Sequence, residues 1–354
     1  MKLTVIVPVY NIADHLPRFF RSMQAQTYRD FQLLVLDDGS EDDSLAVCRS
    51  FAEHDSGIRV IPHTHVGIAQ IRNTALSYVE TEYTAYADGD DHVEPDYLTH
   101  LMTAIEKYDA DLSISRVQYH LESGQVEGEF PARGEMLITK SEYKDKLPML
   151  LDDRRLNYLY GKVYRTALLK DIRVENDVKQ GSDTMLNFMY LPRTGSIVLT
   201  DDLDYHYTRY NKRSVTSYQG KDAYDRILRV NRFIYDSSDE MGMLTEEMLK
   251  VIDSRVLQSG RWVIDKIVVS DSDRDSKAEQ INDILNNEYY VNAYNRQKDR
   301  LAQLDIDAIA PQSGTAYLDN VERLKRLQNK KAAILRRSPK KLVDLYHRLK
   351  GGAE

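Results

Sequence analysis

The feature that most limits what this chain folds into is the regular alternation of buried-strand runs and helical runs across its first 120 residues. Apolar, strand-like runs at residues 3–9, 31–36, 58–61, 83–87 and 112–117 are separated by stretches of helical spacing at 13–26, after Ser40, at 67–79 and at 95–108. Leu16, Phe19, Phe20 and Met23 recur at the intervals that share one helix face. Ser40, followed by Glu41, Asp42 and Asp43, reads as an N-cap with acids at the positive end of a helix dipole. Pro95 stands where a helix would begin. Strand and helix alternating at this spacing predict βαβ units and an α/β, doubly wound, mostly parallel sheet of Rossmann-like type. From 120 to 217 the elements are shorter and mixed, and from about 220 the pattern is helical. A length of 354 residues exceeds one ordinary core, so two domains are expected, residues 1–217 and 218–354.

Ligands of a doubly wound sheet bind at the C-terminal ends of its strands. Four polar clusters fall there: Pro8-Val9-Tyr10-Asn11, Asp37-Asp38-Gly39-Ser40, the segment 63–73, and Asp88-Gly89-Asp90-Asp91. The last holds three carboxylates in four residues, which repel one another unless a cation or hydrogen-bond donors compensate. Oxygen-only ligands of this kind suit Mg²⁺ or Mn²⁺; the plainer reading is a solvated acidic turn.

The combination PVYN, LDDGSEDDS, an IRN helix start and YADGDD, in this order and spacing, resembles glycosyltransferase family 2, the inverting enzymes of GT-A fold. The resemblance continues through Tyr160-Gly161-Lys162-Val163-Tyr164, Gly181-Ser182-Asp183 and Tyr205-His206-Tyr207-Thr208-Arg209, and covers roughly residues 1–217. It implies transfer of a sugar from a UDP-sugar to a hydroxyl of a growing surface glycan, such as an exopolysaccharide, capsule, teichoic acid or glycoprotein, with Mn²⁺ or Mg²⁺. By the same resemblance Asp38 accepts a hydrogen bond from the base, and Pro8, Val9 and Tyr10 line its pocket. Arg72 approaches the diphosphate or base, Asp88 and Gly89 meet the ribose or sugar, and Arg209, with Lys212 or Arg213, covers the diphosphate. Asp90 binds the metal, with Asp91 sharing or supporting that role and His206 as a further ligand. Asp183 is the base that deprotonates the acceptor, although Ser182 stands where the family usually has Glu. The competing readings are that Asp183 caps a helix beginning at Thr184, and that His206 is a packed residue between two tyrosines.

Two other functions compete with the transferase. A non-catalytic nucleotide-sugar-binding or assembly module would keep Asp38 and Asp90 without a working base. A nucleotidyltransferase would want a Gly-rich basic loop after the first strand, where this chain has Pro8-Val9-Tyr10-Asn11.

The net charge of −8 is uneven: residues 321–354 hold eleven Lys/Arg against three acids, so the body is acidic. That argues against nucleic-acid binding. Leu342, Leu345, Tyr346 and Leu349 recur opposite Lys340, Lys341 and Arg348. This basic amphipathic pattern, within residues 321–350, either packs on the body or makes peripheral contact with an anionic membrane, which suits a lipid-linked acceptor. The helical half has the further option of forming a homo-oligomer. The single cysteine, Cys48, excludes an internal disulfide and fits a cytoplasmic setting, and the opening residues read as a first strand rather than a leader. Cys48 and Trp262 both sit at apolar helical spacing and are expected in the core.

Overall fold

The computed structural model describes residues 1–178, 180–210, 222–301, 310 and 312–323. The chain divides into two compact units, Met1–Ile252 and Asp253–Glu354. The expected boundary at 217/218 follows the change in pattern, whereas the compact units divide after the first long helix of the helical half.

The strands of the first unit are β1 (Leu3–Val9), β2 (Phe31–Asp37), β3 (Ile58–Pro62), β4 (Tyr83–Tyr86), β5 (His92–Val93), β6 (Leu112–Leu121), β7 (Val126–Glu129), β8 (Met136–Thr139), β9 (Lys162–Arg165) and β10 (Ser196–Arg209). Its helices are α1 (Leu16–Gln24), α2 (Ser44–His54), α3 (Ile68–Leu76), α4 (Tyr97–Lys107), α5 (Tyr143–Asp152), α6 (Thr166–Leu169), α7 (Ser182–Tyr190) and α8 (Ala223–Glu240), with α9 (Glu246–Val269) beginning in it.

One sheet runs β3-β2-β1-β4-β9-β6-β10-β5, with β7 added to β6 and β8 to β10. The first four strands in that order pair parallel, as the alternation predicts. Strand β9 then lies antiparallel between β4 and β6, and β6 and β10 return to parallel pairing. The sheet is covered on both faces. Ile6, Leu34, Leu36, Tyr86, Ile114 and Tyr164 pack toward α3, α5 and α7. Val5, Val7, Leu33, Val35, Ala85 and Val163 pack toward α1, α2 and α4. Burial on both faces is why the strands β1 and β2 read as continuous apolar runs rather than alternating ones.

Two local expectations are corrected. Helix α2 starts at Ser44, and the Ser40 hydroxyl instead accepts the Asn11 N–H at 3.1 Å, so Ser40 closes the turn after β1 rather than capping a helix. Trp262 is 38% exposed, with the Lys266 ammonium 5.8 Å from its ring centre; its long polar neighbours leave it on the surface of α9. Cys48 is buried as expected, and burial pushes its thiol up to about 12.

The second unit comprises the rest of α9, α10 (Arg274–Leu285), α11 (Glu288–Gln297) and a helical stretch over 314–323. Its core includes Ile264, Ile267, Ile281, Ile284, Leu285 and Tyr290. Gly260 lets α9 approach α11, since a Cβ there would lie 2.6 Å from the Tyr290 ring. The buried Asp253 carboxylate takes both guanidinium edges of Arg296, at 2.6 and 3.0 Å, and the Gln297 amide at 2.8 Å. Among the described residues no helix is long and apolar enough to cross a membrane. Lys212, Arg213 and residues 324–350 of the basic segment lie outside the described residues.

Candidate active site

The sheet delivers three polar turns to one edge because β1, β2 and β4 are parallel and adjacent, so their C-terminal ends point the same way. After β1, Asn11 adopts a left-handed backbone (φ 52°), and its side-chain oxygen accepts the Glu41 N–H at 2.7 Å. This ties the Pro8–Asn11 turn to the one that follows β2.

Asp38 is buried, and its carboxylate accepts the N–H groups of Val66 and Gly67 at 2.8 and 2.9 Å. His65 Nδ1 stands 3.0 Å from the same carboxylate, and its ring stacks on Tyr10 with centroids 4.2 Å apart. Gly39 permits this closeness: a Cβ there would be 2.6 Å from the His65 backbone nitrogen. Asp38 thus fixes the loop that, with the exposed Tyr10, makes a wall of two stacked rings. A carboxylate offers about four lone-pair sites, so acceptor capacity remains. His65, within the polar segment 63–73, is part of this wall. Only the Asp38 contact reveals it.

The Asp88–Asp91 turn divides its carboxylates among different tasks. Asp91 is buried, and its oxygens accept the Tyr205 hydroxyl at 2.8 Å and the Thr208 N–H at 2.9 Å. The Asp88 N–H in turn donates to the Tyr205 oxygen at 3.1 Å. Asp91 therefore clamps β10 to the turn and supports it. The Asp90 carboxylate meets its own backbone N–H and the charge of Arg18, and its backbone carbonyl is held by Arg18 at 2.9 Å. Burial raises the carboxyl of Asp90 above its usual range. For Asp91, burial and then the charges of Asp90 and Asp88 do the same. Asp88 is pushed up to about 7 by burial, a rise that Arg72 partly offsets and Asp90 renews. Gly89 makes room for α1, since a Cβ there would lie 2.9 Å from Ile12 and 3.0 Å from Leu16.

Arg72 of α3 is the hub. Its side chain is buried, pairs through Nη1 with Asp183 Oδ1, and reaches Asp88 Oδ1 through Nη2 at 3.3 Å. Burial opposes the charge, but Asp183 and then Asp88 more than offset it, and the guanidinium pKa stands above its ordinary value. Asp183 is in the first turn of α7, where Gly181 (φ 81°) holds the N-cap position, so the capping alternative is set aside. Ser182 Oγ donates to the same Asp183 oxygen at 3.2 Å.

Two expected residues are placed elsewhere. Arg209 is ion-paired with Glu127 on the exposed strand β7. His206 points to a histidine cluster: its Nε2 is 2.9 Å from Glu94, its Nδ1 is 3.1 Å from His120, and its ring stacks on His92 at 4.6 Å. Alternation along β10 turns His206 away from the face that Tyr205 shares with Asp91. A further group whose ligand atoms lie within 4.8 Å of one another is His100, Asp202 and Asp204. It is explained as an ion pair, His100 Nδ1 to Asp204 at 2.7 Å, between α4 and β10.

The turn offers the oxygen donors that a hard dication takes, chiefly on Asp90, since Asp91 is engaged by Tyr205 and Thr208 and Asp88 by Arg72.

Residues 4–172 match the family profile described as Glycosyl transferase family 2. The chain is 31% identical over 198 residues to "Glycosyltransferase GlyA" of Streptococcus pneumoniae, an alignment covering 52% of this chain and 27% of that protein. It is 26% identical over 231 residues to "Uncharacterized glycosyltransferase EpsJ" of Bacillus subtilis, covering 64% of this chain and 66% of that one. The chain thus spans from about a quarter to just under two thirds of these relatives' lengths. The crystal structure of Staphylococcus aureus TarS 1-349 in complex with UDP-GlcNAc superposes with a TM-score of 0.65 at 18% identity, over 92% of each chain. This likeness shows the GT-A-like fold with a helical region after it.

Proposed function

We propose, for a chain that carries a glycosyltransferase family 2 domain over residues 4–172, that it transfers a sugar from a UDP-sugar to a hydroxyl of a growing surface glycan with inversion at the anomeric carbon. The observation that carries this reading is the junction at Arg72, which brings the base candidate Asp183 and the donor-side Asp88 to one guanidinium.

The Tyr10–His65 wall, with Pro8, Val9 and Asp38, takes the uracil. The complex of the similarly folded TarS with UDP-GlcNAc supports that choice. Asp88 and Gly89 face the ribose and sugar. Asp90, with Asp88 beside it, would hold Mn²⁺ or Mg²⁺, which when bound neutralises the leaving diphosphate. Asp91 and Arg18 keep the turn in shape. On Asp183, Oδ1 is occupied by Arg72 and Ser182, leaving Oδ2 to accept the proton of the acceptor hydroxyl. The hydroxyl oxygen then bonds to C1 of the sugar as the C1–O bond to the diphosphate breaks, and UDP leaves. In this reading His206 and Arg209 serve the shape of β10. We place the reaction in the cytoplasm, with the basic segment 321–350 as the contact with an anionic membrane surface when the acceptor is lipid-linked.

The test is calorimetric binding of UDP with and without Mn²⁺, on the wild type and on Asp90→Ala. Binding that needs both the metal and Asp90 supports the donor site. Metal-independent binding, or none, overturns it and returns the turn to a plain acidic loop.

A further inference from the structure

Tyr205, Tyr160 and Tyr158 form a column of near-parallel rings, with centroids 4.8 Å apart at 6° in the first pair and 4.9 Å apart at 12° in the second. The column starts at the acidic turn, where the Tyr205 hydroxyl bonds to Asp91, and its two inner rings are buried. Its outer end is half-buried. There Tyr158 is joined by Tyr207 at 6.4 Å and Tyr119 at 6.3 Å, both also half-buried. Tyr207 follows Tyr205 by two residues on β10, on the same face, and precedes Thr208, whose N–H holds Asp91.

A second set of contacts ties this end of the column to the base. The Tyr158 carbonyl accepts from Lys162 Nζ at 2.7 Å and from the Asn187 amide at 2.9 Å. Asn187 lies four residues after Asp183 on α7, which puts both on one helix face. Its amide oxygen is fixed in turn by the Tyr164 hydroxyl at 2.8 Å. Lys162 is fully buried and has no ion pair among the described residues; it also reaches the Tyr160 carbonyl at 3.3 Å. Burial lowers the Lys162 pKa to about 7, and a buried amine held only by main-chain carbonyls costs stability. What it fixes here is the position of the Tyr158–Tyr160 loop relative to the helix that carries Asp183.

A tyrosine pairs a flat apolar face with a polar tip, which matches the axial C–H face and equatorial hydroxyls of a pyranose. A polyol phosphate lacks that rigid face. We propose that Tyr158, with Tyr207 and Tyr119 beside it, is the acceptor subsite, stacking a pyranose ring of the acceptor so that its hydroxyl meets Asp183. This rests on the transferase reading above.

The test is saturation-transfer NMR on the full chain with UDP and Mn²⁺, using methyl β-D-glucopyranoside, methyl α-D-galactopyranoside and ribitol 5-phosphate as probes. Ring C–H signals of at least one pyranoside should saturate. They should fall about fivefold or more in Tyr158→Ala and in the bulk-preserving Tyr158→Leu, and stay within about twofold in Tyr158→Phe. Ribitol 5-phosphate should show no saturation. Equal saturation with Tyr158→Leu, loss with Tyr158→Phe, saturation of ribitol 5-phosphate alone, or no pyranoside saturation by a wild type that binds UDP would each overturn the subsite. Calorimetry of UDP on the same samples separates the two ideas. Missing UDP binding alongside Tyr158-dependent saturation sinks the donor reading and leaves the subsite standing.

Discussion

Arg72 answers to two carboxylates at once, and only a planar fork of donors does that well. Replacing it with Gln leaves Asp183 and Asp88 facing each other without a counter-charge in a buried place. Loss of one partner of such a group costs about 3–5 kcal/mol. Arg72→Gln is therefore expected to lower the thermal midpoint sharply. Arg72→Lys should keep more of the stability but still lose turnover, because one ammonium cannot hold both oxygens in register. Midpoints unchanged in both variants would show that the junction is not the anchor inferred here. At Asp183 the expected signature is different. Asp183→Asn should reduce the rate of UDP release in the presence of acceptor by about 10²–10⁴-fold, the usual share of a general base. UDP affinity by calorimetry should change much less; an equal loss of both would mean Asp183 belongs to the donor site. The sequence supplies Arg72, Asp88 and Asp183 as separate names. It does not supply their meeting, because they come from three different elements and nothing local to any of them encodes the other two. His65 and Lys162 were hidden for the same reason: each acts through a partner that only the folded sheet brings near.

At the scale of elements, α7 and α8 meet at a glycine. Gly181 combines a left-handed backbone (φ 81°) with a Cβ position 2.3 Å from Val230 of α8. Gly181→Ala is expected to cost about 1–3 kcal/mol through strain and overpacking. Adding Val230→Ala should recover the steric part and leave the backbone part; a double mutant as unstable as the single one would remove the steric account. Between α4 and β10, His100 is opposed by burial but carried above its usual pKa by Asp204 and then Asp202. A histidine raised in the folded state stabilises fully below its unfolded pKa of about 6.5, and that contribution fades as pH rises through the folded value. The thermal midpoint of the wild type should therefore exceed that of His100→Gln at pH 6. The gap should narrow as the pH is raised, and a gap that widens would reverse the assignment. Strands β1, β2 and β4 were legible because strands buried on both faces announce themselves as apolar runs. The two-residue β5, the exposed β7 and the insertion of β9 were not, because short or solvent-facing strands lack such runs and pairing partners are set by distant segments.

For the whole molecule, the two compact units give a prediction about separability. Asp253 is the buried anchor of the second unit, receiving Arg296 and Gln297. Asp253→Ala should destabilise that unit by about 1–3 kcal/mol, since Gln297 loses a buried partner. The affinity for UDP measured at low temperature should stay as it was. A parallel fall in UDP affinity would place part of the donor site's support in the helical half.

Strand β9 has a consequence for the order in which the protein is made. It fills the gap between β4 and β6, yet it follows both in the chain. While the ribosome is still short of residue 162, β4 and β6 each present an unsatisfied edge, and the neighbour nearest at hand for each is the other. Direct pairing between them would seal the sheet without the strand that leads out of Tyr160 and Lys162. At about 5–20 residues per second the exposure lasts for seconds, long enough for edges to find wrong partners. The loop that carries Tyr158 is thus bound to a late step of closing the sheet, and only β10, made after that wedge, brings the Tyr205 and Thr208 contacts that finish the acidic turn's surroundings.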